Sequence, residues 1–248
     1  MHTLDWPRSL PRRFTRRAAV RLPRTPTAMQ LLDWRAEEYA RDVARERDSY
    51  AGGFSQTFSE CFFTNVADHT AVANTTAETS LFAGTNLQPT IPAEMFATIN
   101  GSRGKAVSLI LKGLLSTTGT PTIIFQVRLG STAGATFLSG TSVGVSAAIT
   151  TASGVTSKYW ELRLDLICRT PGQGTTNATI AGAGLVTSPA GFATPFVYPL
   201  EPTTPDTATW TATLDGSVTQ YVNASVTWSV ASASNTIVLK HAQAFSWN

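Results

Sequence analysis

Residues 157–169 read Ser-Lys-Tyr-Trp-Glu-Leu-Arg-Leu-Asp-Leu-Ile-Cys-Arg, and this stretch decides the fold class. Apolar residues occupy every second position from Trp160 to Cys168, and charged residues occupy most of the positions between them. A period of two residues is that of a β-strand with one buried and one exposed face. The stretch therefore predicts a strand. We expect cross-strand ion pairing, rather than glycosidase chemistry, for Glu161, Arg163 and Asp165 on its exposed face.

From about residue 54 the chain has this period of two, between turns such as Asp215-Gly216. The predicted strands are 79–84, 89–96, 105–115, 121–129, 135–139, 142–150, 157–169, 178–187, 194–199, 208–214, 218–230 and 235–247. The positions predicted to face inward in the last two are Val222, Ala224, Val226, Trp228 and Val230, then Ile237, Leu239, His241, Gln243 and Phe245.

Consecutive strands with no helical segment between them are typical of an antiparallel sandwich, and a jelly roll is the form expected here. The chain has no short internal repeat, which argues against a solenoid or a propeller. The expected fold class is mainly β. An antiparallel jelly-roll-like sandwich (53–248) is preceded by an extended Arg-rich arm (1–26) and one α-helix (27–52).

Positive charge is concentrated at the N-terminus. Residues 1–30 carry seven arginines against a single acid, Asp5, whereas residues 51–248 carry eight basic and nine acidic residues. Charged residues make up only 14% of the chain, against a usual share of about 25%. A surface poor in charge suits side-by-side packing in a larger object, and the asymmetry argues for an anionic partner of the N-terminal segment.

The arm is predicted because residues 1–26 are rich in arginine and proline and contain too few apolar residues to form a core. Its guanidinium groups can form bidentate contacts with carboxylates and phosphates. We expect the arm to dock on another protein, with nucleic acid or plain solvation as the alternatives. The predicted partner-binding residues are Arg8, Arg12, Arg13, Arg16, Arg17, Arg21 and Arg24.

The helix is predicted between a capping box at Thr27–Gln30 and a stop at Gly52-Gly53. Its apolar positions step by four, three and four residues and form a narrow seam of Leu32, Ala36, Tyr39 and Val43. A seam this narrow buries too little to hold a helix by itself. We expect it to pack on the β domain, on copies of itself as a short coiled coil, or on a partner.

Catalytic and metal-binding patterns are missing from the sequence. His241 is expected to be a core or interface histidine. Cys61 and Cys168 have neither metal-ligand nor disulfide spacing, and buried free thiols are expected. The sequence therefore predicts no enzyme, no cofactor and no metal site.

Four tryptophans lie within predicted strands and are expected in the core or at an interface: Trp160, Trp210, Trp228 and Trp247. The alternative is a carbohydrate-binding platform, because an exposed aromatic ring can stack on a sugar. Sequence alone does not give their exposure.

A series of short motifs runs through the second part of the chain in a fixed order: Asn74–Phe82, Ile91–Ala93, Leu111–Thr122, Val127–Gly130, Trp160–Leu162, Thr209–Trp210 and Ala231–Ile237. This order resembles β-sandwich virion proteins of tailed bacteriophages and covers about residues 70–247. The resemblance implies a jelly-roll module on the head exterior, as a trimeric cement or decoration protein, or in a tail fibre. The arm and the helix lie outside it.

The expected function is that of a virion structural protein assembled in the host cytoplasm, most simply a capsid cement protein anchored by its arm to the major capsid protein. One alternative is a tail or head fibre protein whose arm enters an adaptor while the β domain faces the host. The other is a coat protein whose arm binds the genome, although seven arginines are few for that role. A homotrimer is expected, and no membrane, because no apolar run approaches the length of about 20 residues that spans a bilayer.

Overall fold

Strands make up all the regular secondary structure in the part of the chain that the computed structural model describes, which is residues 59–83, 87–96, 106–134, 138–172, 177–194, 197–202 and 211–247. The strands are β1 (Ser59–Asn65), β2 (Val72–Ala73), β3 (Thr79–Ser80), β4 (Thr90–Ile91), β5 (Ala106–Thr117), β6 (Thr122–Gly130), β7 (Thr141–Ser146), β8 (Ile149–Thr150), β9 (Val155–Thr170), β10 (Ala178–Thr187), β11 (Tyr198–Glu201), β12 (Ala212–Leu214), β13 (Gln220–Trp228) and β14 (Thr236–Trp247). The predicted arm and helix lie outside these residues.

The strands form one curled antiparallel sheet. Its hydrogen-bonded order is β1-β14-β5-β9-β10-β11-β7-β6-β13-β3, and the short strands β2, β4, β8 and β12 pair with β14, β13, β6 and β10 respectively. Every pairing between named strands is antiparallel. The prediction of a mainly β, antiparallel fold is therefore confirmed.

The core fills the inside of the curled sheet. In β5 and β6 buried and half-buried residues alternate strictly, and in the central part of β9 buried residues alternate with mostly exposed ones. Trp160 on β9 and Trp228 on β13 are buried, as predicted. The Trp160 ring packs on Phe125 of β6, with ring centroids 5.5 Å apart, although β9 and β6 are not hydrogen-bonded neighbours. Side chains from distant parts of the sheet thus meet in a single apolar interior.

Strand β14 changes face half-way along. A β-bulge between Leu239 and His241 adds one residue, Lys240, that has no register partner on β5. A one-residue insertion moves every later side chain to the other face. Ala242 and Ala244 are consequently buried, while His241, Gln243 and Phe245 point outward and are half-buried. The inward orientation predicted for His241, Gln243 and Phe245 is wrong, whereas that of Ile237 and Leu239 is confirmed.

Strand β13 is covered on both sides. Val222, Ala224 and Val226 face the core as predicted, but Asn223 and Ser225 are buried as well, on the opposite face. Ser80 of β3 covers this face and donates a hydrogen bond to Asn223, at 2.7 Å. The strand ends at Trp228, and Val230 is 53% exposed, so the inward orientation predicted for Val230 is wrong.

Several strand boundaries differ from the prediction. The sequence pattern missed β1 and β2, and the predicted strand 142–150 is divided between β7 and β8. Residues 138–139, the described part of the predicted strand 135–139, are not in a strand. Cys61 on β1 is exposed and Cys168 on β9 is half-buried, so both are free thiols but neither is fully buried as expected.

Candidate interaction surface

The residues that the sequence singled out for partner binding lie outside the described residues. This applies to the arm arginines Arg8, Arg12, Arg13, Arg16, Arg17, Arg21 and Arg24, and to the helix seam Leu32, Ala36, Tyr39 and Val43. Their predicted roles stay predictions. The described residues offer a different surface, on the convex side of the sheet.

We call this surface the outer face: the outward side of strands β14, β5, β9 and β10. The register aligns its side chains in rows that cross the four strands. One row is Trp247, Ala106, Ile167 and Ala181; the next is Phe245, Ser108, Asp165 and Ala183; the third is Gln243, Ile110, Arg163 and Leu185. The first row is apolar throughout and the other two are each half apolar, although an outward side of an antiparallel sheet is usually polar.

Three charged residues of the outer face, Lys112, Glu161 and Arg163, are paired with one another. Glu161 accepts hydrogen bonds from Tyr159 and Arg163 on its own strand, and Lys112 of β5 lies 3.9 Å away. Burial alone would raise the pKa of Glu161, but these hydrogen bonds and the two cations hold it below its usual value. Burial and the bond to Glu161 raise the pKa of Tyr159 to about 12. The predicted cross-strand ion pairing is found for Glu161 with Lys112, whereas Arg163 pairs with Glu161 along the same strand and Asp165 accepts a hydrogen bond from Ser108 instead.

Trp247 is tied to the neighbouring row. Its indole nitrogen donates a hydrogen bond to the hydroxyl of Ser108, at 2.8 Å, and Ser108 in turn donates to the carboxylate of Asp165. Trp247 pairs with Ala106 in the register, two residues before Ser108. The ring must therefore lean along the sheet across β5. It remains 42% exposed, so Trp247 is a surface residue, unlike Trp160 and Trp228. Trp210 lies outside the described residues.

Around Trp247 the outer face forms a shallow depression of about 560 Å³. It is lined mainly by apolar side chains, with Arg163 and Asp165 as its charged members. Ile167, on the far side from Trp247, is 50% exposed. Open apolar surface with a few convergent polar groups is typical of ligand sites. The sequence pattern does not predict this depression, because the bulge in β14 turns Phe245 and Trp247 to the face opposite the one that regular alternation assigns them.

A second polar cluster lies where β3 approaches β6 and β13. Arg128 makes a two-pronged contact with Glu78, through Nε to Oε1 at 3.0 Å and Nη2 to Oε2 at 3.1 Å. Ser225 donates to the same carboxylate at 2.6 Å, and Arg128 also donates to the carbonyl oxygen of Gly140. Burial by itself would raise the pKa of Glu78, but the bonds from Arg128 and Ser225 outweigh it and leave the pKa lowered. We call this cluster the Glu78 clamp.

His69 is the described histidine that lies in the interior. Its ring nitrogen Nε2 is 2.8 Å from the side-chain amide of Asn65, and the ring packs edge-on against Phe82. Burial lowers the pKa of His69. The Glu78 clamp joins the residue before β3 to β6 and β13, and His69 joins the end of β1 to Phe82. Both groups of contacts therefore have the geometry of structural contacts.

The described residues bring together no group of three His, Cys, Asp or Glu side chains that could hold a metal ion. Nor do they contain a helix that could cross a bilayer. No protein-family model matches the sequence, and no curated protein matches it either.

Proposed function

We propose that the curled sheet is a jelly roll. The support is the strand order, which divides into two groups of four: β1-β14-β5-β9 and β3-β13-β6-β7. Followed along the chain, β1, β3, β5, β6, β7, β9, β13 and β14 alternate between the two groups at every step except from β6 to β7. Eight strands wound in this way as two Greek keys make a jelly roll. Strands β10 and β11 would then be an insertion that joins the groups along one side.

We further propose that the protein is a structural component of a virion, and a capsid cement protein in particular. Jelly rolls occur in viral capsid proteins, lectins and other unrelated classes, so the fold alone does not decide among them. The strand order carries the proposal, in combination with the charge distribution of the chain. Seven arginines stand in the first 30 residues, while the remainder of the chain is nearly neutral. The guanidinium groups of such an arm can pair bidentately with carboxylates on neighbouring coat subunits.

The proposed mechanism is mechanical rather than catalytic. The arm and the helix hold the protein on the particle, three copies associate into a homotrimer, and the β domain stays outside. An apolar interior that buries Trp160, Phe125 and Trp228 suits a structural role, because it stabilises the β domain. A fibre protein attached through an adaptor would have the same arm, helix and β domain but would be present in fewer copies per particle.

The experiment is a count of copies in purified particles. Particles are banded by density, and peptides from the β domain are quantified by mass spectrometry against peptides from the major capsid protein. A cement protein is expected in hundreds of copies per particle. Its peptides should be absent from particles assembled with a chain that lacks residues 1–26. Tens of copies would make it a fibre protein. Absence from the particles, or full occupancy without the arm, would overturn the proposal.

A further inference from the structure

We propose that the depression on the outer face binds an uncharged sugar residue, with Trp247 as the stacking platform and Asp165 and Arg163 as hydrogen-bonding partners. The inference rests on the geometry of the described residues and does not depend on a role in a virion. It adds a ligand-binding activity to the β domain.

The platform is a tryptophan ring that is both exposed and held in place. Its hydrogen bond to Ser108 fixes the indole along the sheet before any ligand arrives. An aromatic ring that keeps one orientation loses little conformational freedom on binding. The C–H face of a pyranose is apolar and can cover such a ring, while its hydroxyl groups point to the side. Phe245 and Ile167 extend the apolar floor on either side.

The polar groups beside the platform match vicinal hydroxyls. Asp165 accepts the hydroxyl of Ser108 through Oδ1, so Oδ2 can accept a second hydrogen bond. Arg163 engages Glu161 through Nε, its side chain is 60% exposed, and its terminal nitrogens can donate. Neighbouring hydroxyls of a sugar can donate to the carboxylate and accept from the guanidinium at the same time. One cation and one anion leave the depression without net charge, which favours a neutral ligand.

The size of the depression separates a sugar from a protein partner. Its lining spans three strands and three rows, which is about 10 Å by about 13 Å at the spacings usual in sheets. A stable protein interface needs about 800 Å² on each partner, several times this footprint. One or two sugar rings fill it. A second copy of the chain would have to extend far over the charged end of the outer face, where Lys112, Glu161 and Arg163 already pair with one another.

The test is fluorine NMR of the full chain labelled with 5-fluorotryptophan. The Trp247 signal is identified by its loss in Trp247→Leu, and the signals of the buried Trp160 and Trp228 serve as internal references. The probes are the methyl glycosides of glucose, galactose, mannose and N-acetylglucosamine, each titrated to high millimolar concentration. We expect at least one to shift the Trp247 signal with millimolar affinity, as suits a shallow open site. The reference signals should not move.

Two variants check the chemistry. Asp165→Asn keeps the shape but removes the charge of the acceptor, and is expected to weaken the titration about fivefold. Tyr159→Leu removes an equally exposed aromatic ring of the outer face that lies outside the depression, and is expected to leave the affinity unchanged. The proposal is overturned if no glycoside shifts the Trp247 signal or if Asp165→Asn titrates like the wild type. A Trp247 signal that moves with protein concentration alone would overturn it in favour of contact between copies.

Discussion

Replacing Glu78 by Gln should destabilise the β domain more than any comparable change of an exposed acid. The carboxylate of Glu78 receives two hydrogen bonds from Arg128 and one from Ser225. A glutamine amide presents one acceptor instead of two and carries no charge. The guanidinium of Arg128 is then left without its counter-charge in a place where its side chain is only 21% exposed.

The magnitude follows from this partial burial. A hydrogen bond to a charged group contributes about 1.5–3 kcal/mol when it is shielded from water, whereas an exposed ion pair contributes about 0–1 kcal/mol. Glu78 is 25% exposed at its side chain, so the pair lies between these cases. We expect the free energy of unfolding to fall by about 2 kcal/mol in Glu78→Gln.

The pH dependence of the free energy of unfolding is a second test of the Glu78 clamp. The pKa of Glu78 is lower in the folded state than in the unfolded chain. Its stabilisation is therefore complete above the ordinary pKa of a glutamate and is lost as the pH falls through the depressed value. Glu78→Gln should remove this part of the acid-induced loss of stability.

The assay is a double-mutant cycle by urea denaturation at neutral pH, with Glu78→Gln, Arg128→Met and the double variant. A coupling energy of about 1–2 kcal/mol is expected. The matched control is the ion pair of Lys240 with Asp68, whose side chains are 36% and 67% exposed. Its coupling should stay below about 0.5 kcal/mol. Equal coupling energies in the two cycles would refute the argument that burial makes the Glu78 clamp the stronger pair.

Three further changes have defined outcomes. Gly182→Ala would place a methyl group 1.8 Å from the carbonyl oxygen of Val143, and should lower the free energy of unfolding in denaturant titrations by about 3 kcal/mol. In the control Gly144→Ala the new methyl would meet only side-chain atoms, at 3.1 Å, and the free energy of unfolding should fall by less than about 1 kcal/mol. His69 has a lowered pKa, so the folded state should lose stability as the pH falls below about 6.5, and His69→Gln should flatten the urea midpoint against pH in that range; an unchanged slope would contradict this. A chain without residues 1–26 should melt at the same temperature as the full chain, since an arm without core residues contributes little to folding.

The period of two identifies the strands well because burial on one face imposes it directly. Strand β10 has the bounds predicted from the sequence, 178–187, and β9 exceeds the predicted 157–169 by only a few residues. Both are regular over most of their length and lie against the core. Their alternating residues therefore report the face that each side chain occupies.

Where strand pairing is irregular, the period of two does not identify the strand. Strand β1 contains a bulge between Cys61 and Phe63, and its two neighbouring phenylalanines, Phe62 and Phe63, are both half-buried, so no alternation marks it. The Glu78 clamp was missed for a different reason. Glu78 and Arg128 are 50 residues apart, and nothing local in the sequence states that they meet. Long-range polar pairs are fixed by the topology, which the pattern of one strand does not contain.

The bulge in β14 links this irregularity to the proposed ligand site. If β14 paired regularly through Lys240, with no bulge, the alternation that buries Ile237 and Leu239 would continue and would bury Phe245 and Trp247 as well. The small residues Ala242 and Ala244 would then face solvent. The insertion instead puts the small side chains against the core and the two large aromatic ones on the outer face. A bulge of this kind re-aims side chains and is common near functional sites. Deleting Lys240 tests its assignment as the extra residue: Leu239 and His241 lie opposite consecutive residues of β5, Gly113 and Lys112, so the shortened strand should keep Trp247 beside Asp165 and its fluorine signal should keep its response to the glycoside. Loss of that response in a folded variant would contradict the assignment.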